Sequence, residues 1–383
     1  MREQFPDLGI DVPEIAPAEL KRRLDDGEGL TLLDTRPAAD VEAWQIIHPT
    51  LTTVNVPFSA FVGSDGAPVQ TVPDRVPAAE PLVVSCAKGI SSRYVAEFLA
   101  GKGRDVLVLE RGMEGWAGLN EARELTPNVV QFHRPSSGCL AYLLVDGDEA
   151  AVVDPLRTFA EEYETAARDR GARLRYAIDT HVHADHVSGV REVAAATDAE
   201  PIYPIGAADR GLAFKATLVA DGDRLPLGER TIEALGLPGH TTEMTGYRFD
   251  DVLLTGDSVF LDAVARPDLE DPSRAEAAAD RLWETIQRLT DLGENPIVAP
   301  GHAGPTTEPT EDGTYGLRLE TLRAQLEAFA EPRAAFVERI TTGLPPRPQN
   351  DERIIAVNLG RASVDPEEAF ELELGPNNCA VEA

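Results

Sequence analysis

Lysine is almost missing from this chain. Only four of its 35 basic residues are lysine, against 66 acids, and the formal net charge is −31 over 383 residues. Phosphate affinity comes from clustered cations, so this deficit argues against a nucleic-acid partner. Cysteine is scarce as well. The three present, Cys86, Cys139 and Cys379, are odd in number and far apart, which argues against a disulfide framework and for a reducing compartment. Long apolar runs are absent too. No stretch approaches the roughly 20 apolar residues of a membrane span. The opening Met1-Arg2-Glu3-Gln4-Phe5-Pro6 has no apolar centre and does not read as a secretory signal. The expectation is a cytoplasmic protein with no membrane and no nucleic-acid partner. Homo-oligomerisation is left open.

The acids are spread along the whole chain rather than gathered in a tail. Such a surface repels itself at low salt, and a Debye length of about 3 Å at 1 M salt removes that cost. Acid excess with lysine depletion is a halophile-like composition. The length suits two domains, and the 43% apolar content is ample for their cores.

From residue 10 to 124 the pattern alternates between strand and helix, an α/β signature. Ala16 to Leu24 reads as a helix. Leu30–Asp34, Thr53–Pro57, Pro81–Ser85 and Val106–Leu109 read as strands, and Ser92 to Gly101 as a helix. Cys86 therefore stands where a strand ends and a helix begins, in the short loop Cys86-Ala87-Lys88-Gly89-Ile90-Ser91-Ser92. Backbone N–H groups in such a loop can cradle an anion, and the helix dipole adds positive potential. A thiol there is expected to be nucleophilic, with Lys88 and Arg93 adding charge nearby and Lys88 expected to bind substrate. With Leu33-Asp34-Thr35-Arg36, Val54-Asn55-Val56-Pro57 and Arg111-Gly112-Met113-Glu114-Gly115-Trp116, this loop makes the segment resemble a single rhodanese domain. The resemblance implies a sulfurtransferase module whose catalytic Cys86 carries sulfane sulfur as a persulfide. The arginine usual five residues after that cysteine is Ser91 here.

Gly118 to Asn128 has no apolar run and reads as a linker, with a second domain at 125–383. Its central feature is Thr180-His181-Val182-His183-Ala184-Asp185-His186, which holds three of the chain's seven histidines. His181 follows an apolar run ending at Ile178. His240, Asp257 and His302 follow three further runs, each just after a glycine. Ligands at the ends of neighbouring strands converge on one sheet edge, so these residues are expected to form a metal site. In that order they resemble the metallo-β-lactamase family. The expected architecture is an α/β rhodanese-like domain followed by an αβ/βα metallo-β-lactamase sandwich.

Two metal chemistries fit. In one, two Zn(2+) ions bind: His181, His183 and His240 hold the first, Asp185, His186 and His302 the second, and Asp257 bridges, as in glyoxalase II-like thioester hydrolases. In the other, a single Fe(2+) per chain is held by two histidines and a carboxylate, with positions open for O2. The stretches Thr180 to Gly189, Ser137-Gly138-Cys139-Leu140-Ala141-Tyr142, Leu254 to Ser258 and Ala265-Arg266-Pro267-Asp268-Leu269 resemble persulfide dioxygenases. That resemblance implies His181, His240 and Asp257 as iron ligands and His183, Asp185, His186 and His302 as supporting groups. It also implies Arg266 as a substrate-positioning residue. Its substrates would be a low-molecular-weight thiol persulfide and O2, oxidised to thiol and sulfite. Where that family often has Asp-Tyr after the last histidine, this chain has Ala303-Gly304. Cys139 is expected to be a packed thiol and Cys379 incidental. Ile354 to Gly360 is expected to be a late strand or a lid. A non-enzymatic sulfur carrier or persulfide sensor is the remaining alternative.

Overall fold

A computed structural model describes residues 8–63, 67–375 and 379–382. The chain divides into two compact units. The first runs from the N-terminal residues to Leu119, and the second is built mainly on Asn120–His133 and Gly138–Glu373.

The first unit is an all-parallel five-stranded sheet in the order Glu14–Ile15, Val106–Leu109, Leu82–Ser85, Leu30–Asp34, Leu51–Asn55. The central strands are continuous apolar runs because both of their faces are covered. Side chains alternate across a strand. Leu33 and Val84 accordingly pack into one core with Val95 and Leu99 of the helix Ile90–Ala100. Leu32 and Val83 face a second core with Leu20 and Leu24 of the helix Pro17–Asp25. Cys86 leaves the middle strand at its carboxyl end, where open parallel sheets place their ligands.

The stretch expected to be a linker is structured. Glu121–Thr126 forms an antiparallel edge strand against Val129–His133 and belongs to the second unit, which begins at Asn120. As an edge strand it leaves three successive residues, Ala122 to Glu124, exposed, so it carries no alternating apolar signal.

The second unit stacks two sheets between layers of helix. One sheet has seven strands, ordered Thr217–Val219, Glu200–Pro204, Arg173–Ile178, Glu149–Val153, Leu140–Asp146, Val129–His133, Glu121–Thr126. The other has six, ordered Arg224–Leu227, Arg230–Gly236, Thr245–Phe249, Val252–Gly256, Ile297–Pro300, Leu317–Arg318. Tyr142, Val153, Tyr176 and Ile178 of the first meet Ile232, Tyr247, Phe249 and Leu254 of the second in a buried layer between the sheets. Outside the first sheet, Tyr163, Val190 and Val193 close the core from the helices Ala160–Asp169 and Val190–Thr197. Outside the second, Leu282, Ile286 and Leu289 of the helix Ala275–Thr290 pack with Phe336 and Ile340. This is the αβ/βα sandwich.

The segment near Ile354, expected to be a late strand or a lid, is not a strand but the helix Asp351–Asn358. Ile354, Val357 and Asn358 are buried along one face. Tertiary burial at helical spacing overrides the strand preference of the two adjacent isoleucines. Among the described residues no helix is long and apolar enough to cross a membrane.

Candidate metal centre

Four strand ends supply the centre. Ile178 leads to His181, Gly236 to His240, Gly256 to Asp257 and Pro300 to His302. The turn at Gly256 requires glycine: φ is +48°, and a Cβ there would sit 2.6 Å from the Thr180 hydroxyl oxygen.

His181, His240 and Asp257 form one buried group whose potential ligand atoms all lie within 4.8 Å of one another. Asp257 Oδ2 is 3.9 Å from His181 Nε2 and 3.8 Å from His240 Nε2. Both imidazoles are turned by their other nitrogen. His240 Nδ1 is 2.9 Å from the Arg266 carbonyl, so it carries the proton. The Thr180 hydroxyl donates to Asp154 Oδ2 at 2.9 Å and lies 2.9 Å from His181 Nδ1, so that nitrogen is the donor to the hydroxyl. Each Nε2 is left with its lone pair toward Asp257. Burial, reinforced by neighbouring histidine charges, holds His181 well below the usual imidazole range, and burial also lowers His240. His181 Nε2 and Asp257 Oδ2 are buried without a hydrogen-bond partner. Two neutral imidazoles and one carboxylate, oriented from behind and unsatisfied in front, fit a divalent metal ion.

The remaining histidines are engaged differently. His183 Nε2 lies 3.2 Å from Asp154 Oδ1 and 3.6 Å from Asp179 Oδ1, a separate buried group. Burial opposes its charge, but these carboxylates outweigh burial and raise its pKa to about 9. Its Nδ1 has no hydrogen-bond partner. His302 bridges two carboxylates, with Nδ1 2.7 Å from Asp257 Oδ1 and Nε2 3.0 Å from Asp185 Oδ2. Both nitrogens therefore act as donors. Burial works against that charge, yet Asp257 in particular lifts His302 well above the usual range. Asp185 Oδ2 also faces His186 Nδ1 at 3.2 Å.

Arg266 is buried and donates to Asp268 and to the carbonyls of Pro345 and Pro346, so it pins the segment 345–346. In the first unit Cys86 is buried, with Sγ 3.3 Å from the Ser92 hydroxyl. Gly89 precedes the following helix at φ +78°, with the Arg111 backbone too close to admit a Cβ. Lys88 pairs with Glu114 at 3.0 Å, and Arg93 pairs with Glu14.

Several site residues are ones that sequence reasoning missed. The Asn358 side chain donates to the carbonyls of His183 (3.0 Å) and His186 (2.8 Å) and accepts from Ser188 N–H (2.9 Å). Glu243 accepts from Val182 N–H, and Glu373 from Val187 N–H. Asn358 and Glu373 lie far downstream of the histidine motif, and no spacing rule connects them to it. Cys139 and Cys379, expected to be packed or incidental, both lie beside the centre. The Cys139 thiol is 3.4 Å from Asp185 Oδ2, and Cys139, Asp185, His186 and His302 form a third group of metal-type donors. Burial opposes ionisation of Cys139, but the His302 charge holds it below the ordinary thiol value. The Cys379 thiol is pushed well above its ordinary value, first by burial and then by the charges of Asp185 and Asp257.

A cavity of about 760 Å³ reaches His240 and Thr241. One wall is the helix Ala275–Thr290 with the residue before it, presenting Arg274, Ala277, Ala278 and Arg281 at helical spacing. Among the described residues neither of these two arginines is hydrogen-bonded to a carboxylate.

This fold and donor set define a metal-centre enzyme of the hydrolase and oxidoreductase class. The chain belongs to the metallo-beta-lactamase superfamily, whose model matches residues 135–302, and a rhodanese-like domain matches residues 16–119 ahead of it. It is 32% identical over 187 residues to a hydroxyacylglutathione hydrolase of Rhodospirillum rubrum, covering 48% of this chain and 69% of that one. It is 25% identical over 240 residues to the mitochondrial persulfide dioxygenase ETHE1 of Bos taurus, covering 60% and 86%. The crystal structure of ETHE1 from Myxococcus xanthus shares the fold, with a TM-score of 0.53, 22% identity, and coverage of 61% of this chain and 98% of that one.

Proposed function

We propose that the second unit is a persulfide dioxygenase using one iron(II) per chain, held by His181, His240 and Asp257. The overall reaction is thiol persulfide plus O2 and water giving thiol, sulfite and two protons, so the terminal sulfur loses four electrons to O2. Iron held there would supply the redox chemistry for the persulfide and O2. The rest falls to the protein. The Thr180 hydroxyl and the Arg266 carbonyl aim the two imidazoles, and the burial of the triad keeps bulk water away. His302 holds protons on both nitrogens between Asp257 and Asp185. The observation that carries this reading is the state of Asp257. Its Oδ2 faces the two neutral imidazoles, while its Oδ1 takes a hydrogen bond from His302. With Oδ1 so engaged, Asp257 offers Oδ2 to a single ion in this reading, and His302 serves as a proton donor to it rather than as a ligand. Arg274 and Arg281 along the cavity suit a thiol that carries a carboxylate. Cys86 handles sulfane sulfur in the first unit.

A dizinc thioester hydrolase is the second reading, favoured by the stronger similarity to hydroxyacylglutathione hydrolases and by the donor group at Cys139, Asp185, His186 and His302. Anaerobic metal analysis combined with oxygen uptake separates the two. The dioxygenase reading expects one iron per chain and O2 consumption with a thiol persulfide in high salt. Two zincs per chain and hydrolysis of an acylated thiol without O2 uptake would overturn it.

A further inference from the structure

Cys139 is placed beside the centre by backbone pairing. It forms an antiparallel bridge with His302, flanked by hydrogen bonds from Leu140 N–H to the Gly301 carbonyl (2.8 Å) and from Ala303 N–H to the Gly138 carbonyl (2.9 Å). Its thiol therefore enters a polar cluster, although the neighbouring Ala141 and Leu143 pack into an apolar core. The thiol hydrogen points at Asp185 Oδ2, 3.4 Å away, and that oxygen also takes His302 Nε2 and His186 Nδ1. His186 is buried, and its Nε2 has no hydrogen-bond partner. Nucleophile, proton acceptor and orienting histidines stand in the order that activates a cysteine. From Asp185 the chain of contacts continues through His302 to Asp257 of the triad. The oxidation proposed above assigns this thiol no role.

We infer that Cys139 is a sulfur-accepting residue of the second unit, taking the terminal sulfur of a thiol persulfide to become Cys139–S–SH. The inference rests on the persulfide reading, both for its substrate class and because that reading leaves Asp185, His186 and His302 free of metal. The Cys139 thiol gives up its proton through the hydrogen-bonded Asp185–His302 cluster, whose histidine charge favours the thiolate, and Sγ attacks the terminal sulfur. A new Sγ–S bond forms as the S–S bond of RS–SH breaks. The electron pair leaves on the thiolate, which is reprotonated from the same cluster, so Cys–SH plus RS–SH gives Cys–S–SH plus RSH. No oxidant or reductant is consumed, and no metal is needed. The residue would hold sulfur at the centre independently of Cys86.

The test uses full-length protein with Cys86→Ser, kept under nitrogen in molar salt and treated with glutathione persulfide. Alkylation and peptide mass spectrometry then locate the added sulfur. The expected result is one extra sulfur on the Cys139 peptide, removable by dithiothreitol and absent when Cys139→Ala is added. Asp185→Asn should slow loading by about 100-fold, which a purely packing role for Cys139 would not produce. Sulfur found on Cys379 instead, or on neither cysteine, overturns the inference. Because no O2 is present, loading of Cys139 without later O2 uptake would remove the dioxygenase reading and leave this one standing. Normal uptake with Cys139 never loaded would do the reverse.

Discussion

Asn358 offers the sharpest test of how the metal centre is built, because one buried amide ties down the histidine motif from outside it. Its Nδ2 donates to the carbonyls of His183 and His186, and its Oδ1 takes Ser188 N–H, all at 2.8–3.0 Å. Asn358→Ala strands one buried N–H and two carbonyls and leaves a small void. An unsatisfied buried group costs about 1–3 kcal/mol. Partial relaxation brings the expected loss to about 3–5 kcal/mol. Asn358→Asp keeps nearly the same volume and can still accept from Ser188, yet it sets a carboxylate against two carbonyl oxygens. It should therefore lose at least as much as alanine. The assay is urea unfolding at constant molar KCl, comparing midpoints at an unchanged slope. Because His181 and the Asp185–His302 pair flank the tethered loop, the same variants should bind the metal more weakly in an equilibrium titration. A shift below about 0.5 kcal/mol for both variants would refute the claim that Asn358 holds the motif.

Metal-free protein should lose stability as pH rises. The folded pKa of His183 is about 9, above the unfolded 6.5. Its contribution is therefore complete below pH 6.5 and lost as pH climbs through 9. The upper bound is roughly 3 kcal/mol at 1.36 kcal/mol per unit, and urea midpoints should show a shallower slope in His183→Gln than in the parent, where His302 adds a contribution of the same sign. The acidic surface predicts a melting temperature that rises from dilute buffer to molar KCl, and an unchanged melting temperature would remove the salt-adaptation reading. Arg274→Gln and Arg281→Gln should each raise KM about tenfold for a carboxylate-bearing thiol persulfide with little change in kcat, which steady-state oxygen uptake would check.

Much of the protein is legible in its residue order. The Cys86 loop between an apolar run and a helix, and the ligands three residues past four apolar runs, are local patterns. Strand ends of the two stacked sheets, one ligand from the first and three from the second, bring such ligands together whatever the loops between them do. Other elements gave weak or misleading local signals. Glu121–Thr126 is too exposed to alternate, and the helix around Ile354 carries the composition of a strand.

The sequence by itself determined the two folds and the identity of the donors, because its motifs resemble those of two known families and the donors follow from the chemistry of each residue type. Only the tertiary structure decided how the donors divide. It set His183 against Asp154 and Asp179, placed His302 between two carboxylates, and left His181, His240 and Asp257 facing one another. It also brought Cys139 and Cys379 beside the centre and carried Asn358 to the backbone of the motif. Which nitrogen or oxygen of a side chain stays free depends on partners brought in from 26 residues away at His240 to 117 at His302, and a local sequence pattern carries no information about those contacts.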